Sequence, residues 1–299
     1  MSKVLVLNRI KQGLGLDFIE NLYYGAAPMS EETLDFYTDL NMPILSLYGL
    51  SETTGGTTFH EFPNCELKKA GLPMPGIKLR IYNPDEAGEG EICVRGRNVF
   101  MGYLHREKAT WEVFDSEGFF HTGDKGKIDA DENLIITGRI KEILITSGGE
   151  NVEPIAIEQM VKQQCPIISN AVLVGEQKKY VSLLITLKVD KDMRSGVYTR
   201  NLSQEAMQWI KINCNISNLK TVEDVISSQE MTAYIGRCIS KANTKAVNRV
   251  SQVKRWVILP EEFDVQTGEL TPTFKVKRKY IYRKYATEIE KMYQEVAKL

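Results

Sequence analysis

The stretch Thr137 to Val152, TGRIKEILITSGGENV, constrains the fold more than any other. It predicts a strand end, a tight basic turn, an apolar strand, a Gly-Gly loop and a helix start. Glu142 to Ile145 is a short apolar run bounded by turn chemistry, which predicts a buried strand. Ser147, Gly148 and Gly149 allow a tight loop in which backbone approaches a ligand closely. Asn151 is the expected N-cap of the next helix, with Glu153 and Pro154 in its first turn. Upstream the chain is loop-rich in Gly, Thr and Tyr; downstream it is more regular and more basic. That change places a domain boundary here.

A length of 299 residues allows one large domain or two. The 38 basic and 39 acidic residues nearly cancel, which removes a global electrostatic case for nucleic acid. Cys65, Cys93, Cys165, Cys214 and Cys238 are far apart and form no CxxC, so neither a disulfide frame nor a zinc site is indicated. Reduced thiols and a cytoplasmic location are expected. No apolar run approaches the roughly 20 residues of a membrane span. The start, MSKVLVLNRI, is too short in apolar core for a signal peptide. Peripheral membrane contact stays open.

Val4 to Leu16 predicts an amphipathic helix ending near Gly13 or Gly15. Leu22 to Tyr24 is a short strand that breaks into Gly25-Ala26-Ala27, small side chains against which a flat ligand could lie. An ordinary strand-turn-helix explains the same residues, with Ser30 as N-cap of a helix to Leu40. Ile44 to Leu47 is an apolar strand leading into YGLSETTGG, Tyr48 to Gly56. Ligands collect at strand C-terminal ends of α/β sheets. Here hydroxyls and backbone amides suit phosphate oxygens, and Glu52 could hold Mg²⁺ through water. A plain polar loop is the alternative; a P-loop is excluded, since no glycine-lysine pair follows.

Gly71 to Arg97 predicts a small β unit, with strands Lys78 to Tyr82 and Glu91 to Val94. Met101, Tyr103, Leu104 and Trp111 are expected to pack. In GFFHTGDKGKID, Asp124 follows Thr122-Gly123 in a predicted turn, where a carboxylate either grips a ribose diol or closes an Asx-turn. His60, His105 and His121 are taken as packed or capping residues. Further on, a helix over Glu153 to Gln164, a hairpin about Gly175–Lys179, helices over Ser203 to Ile210 and Glu230 to Val250, and a strand over Arg255 to Leu259 predict an α+β module. A last helix runs from Ile281 through Tyr285 and Ile289 to Leu299. Before it, Lys275, Lys277, Arg278 and Lys279 form either a solvated face or a rigid turn at Pro272 that presents one lysine.

Taken together, these segments resemble the acyl-adenylate-forming enzymes, and within them the long-chain acyl-CoA synthetases of the bubblegum type. The matching pieces are GAAP at Gly25 to Pro28, YGLSETTGG, HTGD at His121 to Asp124, GRIKEILITSGGENV at Gly138 to Val152, and LTPTFKVKR at Leu270 to Arg278. Their order and approximate spacing match across essentially the whole chain. The resemblance implies an α/β plus α+β architecture: part of a large AMP-binding domain over residues 1–138, then a smaller C-terminal lid domain over 139–299 with its hinge at 139–141.

It also implies site roles. Gly25, Ala26 and Ala27 would border the adenine pocket, and Tyr48 would stack on adenine. Leu47, Gly49, Leu50 and Ser51 would complete the nucleotide contacts. Thr53 would contact the α-phosphate, Glu52 would serve Mg²⁺, and Asp124 and Arg139 would grip the ribose. Lys141 would sit at the hinge, Ser147, Gly148 and Gly149 would face the pantetheine channel of CoA, and Lys275 would be the adenylation lysine. The family pattern has glycine before that lysine, whereas this chain has Phe274; Lys277 is the second candidate. The implied reaction is attack of a fatty acid carboxylate on the α-phosphate of ATP, then of the CoA thiol on the acyl-AMP. The loop that holds the β- and γ-phosphates in such enzymes is not among these residues. That leads us to expect a fragment, a truncated gene model or a short isoform, inactive alone. The alternatives are a non-catalytic partner-binding isoform built on the lid domain, and a ligase for a different carboxylic acid.

Overall fold

Apolar runs of four to seven residues separated by Gly, Pro and Asn turns build the first part of the molecule, and longer amphipathic helices build the second. The computed structural model describes residues 2–26, 29, 31–60 and 69–294, with backbone alone for 2–5, 31–32 and 141. Ala27, Pro28, Ser30, Cys65, the Lys141 side chain and the end of the last helix lie outside the described residues. The chain forms two compact units, Met1–Lys141 and Glu142–Leu299. The division falls at the end of the segment expected to be the hinge.

In the first unit, α1 (Ser2–Gly13) precedes β1 (Leu22–Gly25), α2 (Glu31–Asp39) and β2 (Ile44–Leu50). β1 and β2 run parallel, pairing Leu22 with Ile44 through Gly25 with Leu47. The second strand is longer than its apolar run predicts: it carries on through Tyr48 and Gly49. It does so because β3 (Gly55–Phe59) folds back antiparallel on it around a one-turn 3₁₀ helix at Ser51–Thr53. Thus YGLSETTGG is a hairpin, not a loop. Its glycine is obligatory: a Cβ on Gly49 would lie 1.5 Å from the Gly55 carbonyl oxygen. β4 (Leu72–Pro73) closes this sheet.

A second sheet is a four-stranded antiparallel meander of β5 (Lys78–Tyr82), β6 (Gly90–Arg95), β7 (Phe120–Ile128) and β8 (Leu134–Arg139), with the short α3 (Glu107–Trp111) between β6 and β7. The predicted small β unit is therefore present and two strands larger. HTGD lies inside β7 rather than in a turn; cross-strand pairing outweighs the local turn signal, and the conflict survives as a kink at Gly123, φ 74°. The expectation that Met101, Leu104 and Trp111 pack fails: they are 98%, 84% and 80% exposed in this unit. Tyr103 does pack, edge-on against Phe100.

The second unit is organised on β11 (Ile168–Val174), which follows β9 (Leu144–Ile145), β10 (Asn151–Val152) and α4 (Pro154–Gln164). It pairs antiparallel with β12 (Val181–Leu187), the predicted hairpin. Next come β13 (Val189–Lys191), β14 (Tyr198–Leu202), α5 (Gln204–Cys214), α6 (Val222–Ser227) and α7 (Gln229–Asn243). β15 (Val253–Ile258) then adds parallel to β12. Every residue of β12 is buried, as a central strand covered on both faces requires. One face packs Leu183 and Ile185 against α4 and α7; the other packs Leu184 against Ile281 of α8 (Arg278–Lys284) and Met292 of α9 (Ala286–Gln294). Each fully buried leucine or isoleucine contributes about 1.5–3 kcal/mol by burial.

Four local expectations are corrected here. Leu144 and Ile145 form only a two-residue strand, and Ile145 is 43% exposed. Asn151 pairs with Ile145 instead of capping; Glu153 is the N-cap, because Pro154 fits N1 and needs no amide partner. The helix predicted to Val250 stops at Asn243, whose side chain bonds both the N–H and the carbonyl of Val253 at 2.9 Å. The last helix breaks at Tyr285 into two.

Candidate functional site

Three residues from three strands meet at one carboxylate in the first unit. Asp124 and Arg139 are direct cross-strand partners in β7 and β8, so sheet register alone brings them together. Arg139 Nε–H donates to Asp124 Oδ1 at 2.8 Å, and the Tyr48 hydroxyl donates to Oδ2 at 2.8 Å. Asp124 is 4% exposed, so its charge depends on these donors. Burial first, and the neighbouring Asp124 charge next, push the Tyr48 phenol well above its ordinary range, so it stays a donor. A carboxylate offers about four lone-pair sites, and these two donors take one on each oxygen.

The residues expected at the adenine lie beside this group. Gly25 pairs with Leu47 so tightly that a Cβ would come within 2.7 Å of the Leu47 carbonyl oxygen. Ala26 continues with φ 67°, a backbone that leaves the strand abruptly. Gly25, Ala26, Leu47 and Tyr48 thus sit at the C-terminal end of the parallel pair.

The 3₁₀ turn sorts the expected phosphate contacts. Thr53 is fully buried, and its hydroxyl bonds the Leu50 and Gly55 carbonyls at 3.1 and 3.2 Å while accepting from Leu50 N–H and the Thr57 hydroxyl at 2.9 Å. Thr53 is therefore corrected from phosphate contact to the clasp of the hairpin. Ser51, one turn edge away, is exposed. Glu52 accepts a 2.9 Å hydrogen bond from the Tyr103 hydroxyl on Oε1. Burial and that bond push the Tyr103 phenol up to about 12. A carboxylate held on one oxygen by a neutral donor suits a hydrated divalent cation. Tyr103 was missed in the sequence because nothing local links it to Glu52.

Also missed were three residues with metal-binding chemistry: ligand atoms of Glu91, Cys93 and His121 lie within 4.8 Å of one another. Cys93 and His121 are cross-strand partners, a proximity that no CxxC rule detects. Burial, then Glu91, push the Cys93 thiol up to about 12, with the Arg80 guanidinium beside it. Glu91 and His121 already bond each other at 2.7 Å. The three side chains form a hydrogen-bonded cluster across β6 and β7.

In the second unit, Lys275 is exposed on a turn whose backbone is well tied: Thr271 N–H donates to the Lys275 carbonyl at 2.8 Å, and Lys275 N–H to the Thr271 hydroxyl at 3.0 Å. Phe274, in the family's glycine position, has φ 58°, which explains that glycine. Lys277 instead caps α8 and lies 5.4 Å over the Tyr280 ring. Arg278, just beyond, is half-buried against Glu158, at 2.6 and 3.1 Å, and the Glu158 carboxylate holds its guanidinium charged against the opposing effect of desolvation. Ser147, Gly148 and Gly149 are exposed in the β9–β10 turn, with Gly149 at φ 79°.

Residues 6–104 match a family profile described as AMP-binding enzyme, and residues 141–215 and 216–297 match one described as AMP-binding enzyme C-terminal domain. The chain is 42% identical over 296 residues to long-chain-fatty-acid–CoA ligase ACSBG2 of Gallus gallus, covering 98% of this chain and 38% of that protein. It is 42% identical over 297 residues to long-chain-fatty-acid–CoA ligase ACSBG1 of Homo sapiens, covering 99% of this chain and 41% of that protein. The chain thus spans about two fifths of the length of the curated relatives it matches. Among solved structures, the AMP-bound A domain of the carboxylic acid reductase of Segniliparus rugosus aligns at TM-score 0.68 and 21% identity, over 92% of this chain and 39% of that one. The o-succinylbenzoate CoA synthetase of Bacillus subtilis, with its acyl-adenylate intermediate, aligns at 0.61 and 21%, over 88% and 46%. At that identity these two establish the fold, whereas the profiles and close relatives establish the family. The chain belongs to the AMP-binding enzymes, in the group of bubblegum-type long-chain-fatty-acid–CoA ligases.

Proposed function

We propose that these residues are the nucleoside-gripping and lysine-bearing part of an ATP-dependent ligase that joins a long-chain fatty acid to CoA. The observation that carries this is the Asp124 carboxylate, fixed by Tyr48 and Arg139, with the small residue Gly25 paired to Leu47, the chain neighbour of Tyr48. A ribose diol donates to carboxylate oxygens, and the flat base lies on backbone that carries little side chain. Ser51 and the amides of its turn face the α-phosphate, and Glu52 holds Mg²⁺ through water. The ion offsets phosphate charge when bound. Adenylation places additional negative charge around the α-phosphorus, and the Lys275 ammonium offsets it. Lys141 provides the pivot by which the lysine withdraws before CoA enters past Ser147–Gly149.

Titration of the 299-residue chain with AMP in a calorimeter tests the reading. Binding is expected, and Asp124→Ala is expected to weaken it on the order of 100-fold, the equivalent of two charge-assisted hydrogen bonds. No binding by the unaltered chain, or equal binding by the variant, sinks the reading. With ATP, Mg²⁺ and oleate the chain alone is expected to form no acyl-AMP, since the group that would hold the β- and γ-phosphates is not among its residues.

A further inference from the structure

Asp124 owes its aim to an irregular backbone. A regular β7 would run in step with β6, and a kink at Gly123, φ 74°, interrupts that ladder just before the carboxylate, so that four steps along β7 from His121 to Lys125 span two along β6 from Cys93 to Glu91. Such a kink needs an anchor. Glu91, on the neighbouring strand, supplies it: its Oε1 accepts from the Gly123 N–H at 2.9 Å, and its Oε2 accepts from His121 Nδ1–H at 2.7 Å. The ladder between β6 and β7 slips at this place, between Glu91 and Cys93. The Thr122 hydroxyl completes the clamp, donating to the Ile92 carbonyl at 2.7 Å and accepting from Asp124 N–H at 3.1 Å. On its other side His121 Nε2 lies 3.6 Å from Asp115, which Arg80 ion-pairs in turn. The Glu91 and His121 side chains are 20% and 18% exposed, so water competes weakly for these bonds.

We propose that Glu91, steadied by His121, is a positioning residue for nucleotide binding: it holds the Gly123 kink and thereby the direction of the Asp124 carboxylate. The inference rests on the reading of Asp124 as the ribose grip. Glu91 touches no ligand itself. Its contribution is geometric, and a misplacement of about 1 Å at a binding group costs up to about 100-fold.

The experiment is AMP calorimetry and urea unfolding on the whole chain and on Glu91→Leu, Glu91→Gln, Glu91→Asp and Asp124→Ala. Glutamine keeps a carbonyl oxygen for Gly123 N–H and an amide for the His121 ring, so Glu91→Gln should bind AMP within about threefold of the unaltered chain. Glu91→Leu should bind on the order of 10- to 100-fold more weakly while still folded at the assay temperature. A residue with only a structural role would lower the urea midpoint and leave the affinity of the folded fraction unchanged. If Glu91→Leu does not fold, Glu91→Asp decides: it keeps the charge, loses the reach, and should weaken AMP about tenfold. Near-normal affinity in Glu91→Leu, or in Glu91→Asp where that variant must decide, overturns the inference provided Asp124→Ala has lost binding. Normal affinity in Asp124→Ala overturns the ribose reading and the inference with it.

Discussion

Two regions carry the charged groups expected to act on the nucleotide, and they are built in opposite ways. Asp124 is nearly buried, and both its oxygens are engaged by side chains from other strands. Lys275 stands exposed, with its backbone tied and no side-chain partner among the described residues. The contrast fits the role proposed for each. A group that recognises a ligand gains from being fixed in advance, because no ordering entropy remains to be lost on binding. A group that acts in one step and withdraws in the next gains from having no local partner to leave. The rigidity around Lys275 lies instead in its frame, where Arg278 is locked on Glu158 and Glu269 on Lys284.

That contrast can be broken in several ways. Arg278→Met should cost the second unit about 3–5 kcal/mol in urea unfolding, because it strands a buried Glu158 carboxylate. A loss below about 1 kcal/mol would show that the lysine turn has no rigid frame. Alkali should weaken both regions. The Tyr103 phenol, beside Glu52, and the Tyr282 phenol, beside Arg278, are both pushed up to about 12 by burial. Their contribution to stability is fully present below the ordinary value of 10.0 and is lost as pH rises through about 12. Tyr103→Phe should reduce this alkaline sensitivity in the first unit, where Tyr48 and Cys93 still contribute to it, and leave that of the second unchanged, as seen by unfolding at pH 9 and near pH 11.5. Phe274→Gly should stabilise the second unit by about 0.5–1 kcal/mol, relieving a left-handed backbone at little cost in burial. A destabilised variant would mean that the exposed ring has a partner this unit does not supply. Lys275→Met should shift stability by less than about 0.5 kcal/mol. In a complete ligase the same change should remove acyl-AMP formation, monitored as pyrophosphate release.

Much of the architecture was legible because local pattern and tertiary demand agree. The apolar runs at Ile44, Ala171 and Val181 became strands, and Ser203 caps its helix through a 3.1 Å bond from Ala206 N–H. Errors cluster where distant pairing outweighs a local signal. Asn151 looks like a cap, but its backbone finds Ile145. Thr122-Gly123 looks like a turn, but bonds to the Ile92 carbonyl and the Glu91 carboxylate on β6 hold it within the strand. Thr53 looks like a phosphate contact, but its hydroxyl is consumed by its own hairpin. Glu91, Tyr103 and the Arg278–Glu158 pair had no local signal; Arg278 and Glu158 are 120 positions apart in the chain.

The sequence by itself determined the order of the motifs, the family they mark and the residue types the chemistry needs, since these depend on near neighbours and side-chain identity. Only the tertiary structure decided which oxygen meets which donor: that Tyr48 and Arg139 share one carboxylate, that Ser51 rather than Thr53 faces outward, and that Glu91 reaches the Gly123 amide. Strand register sets those meetings. A slip of one residue would turn each of these side chains to the opposite face without altering a single motif.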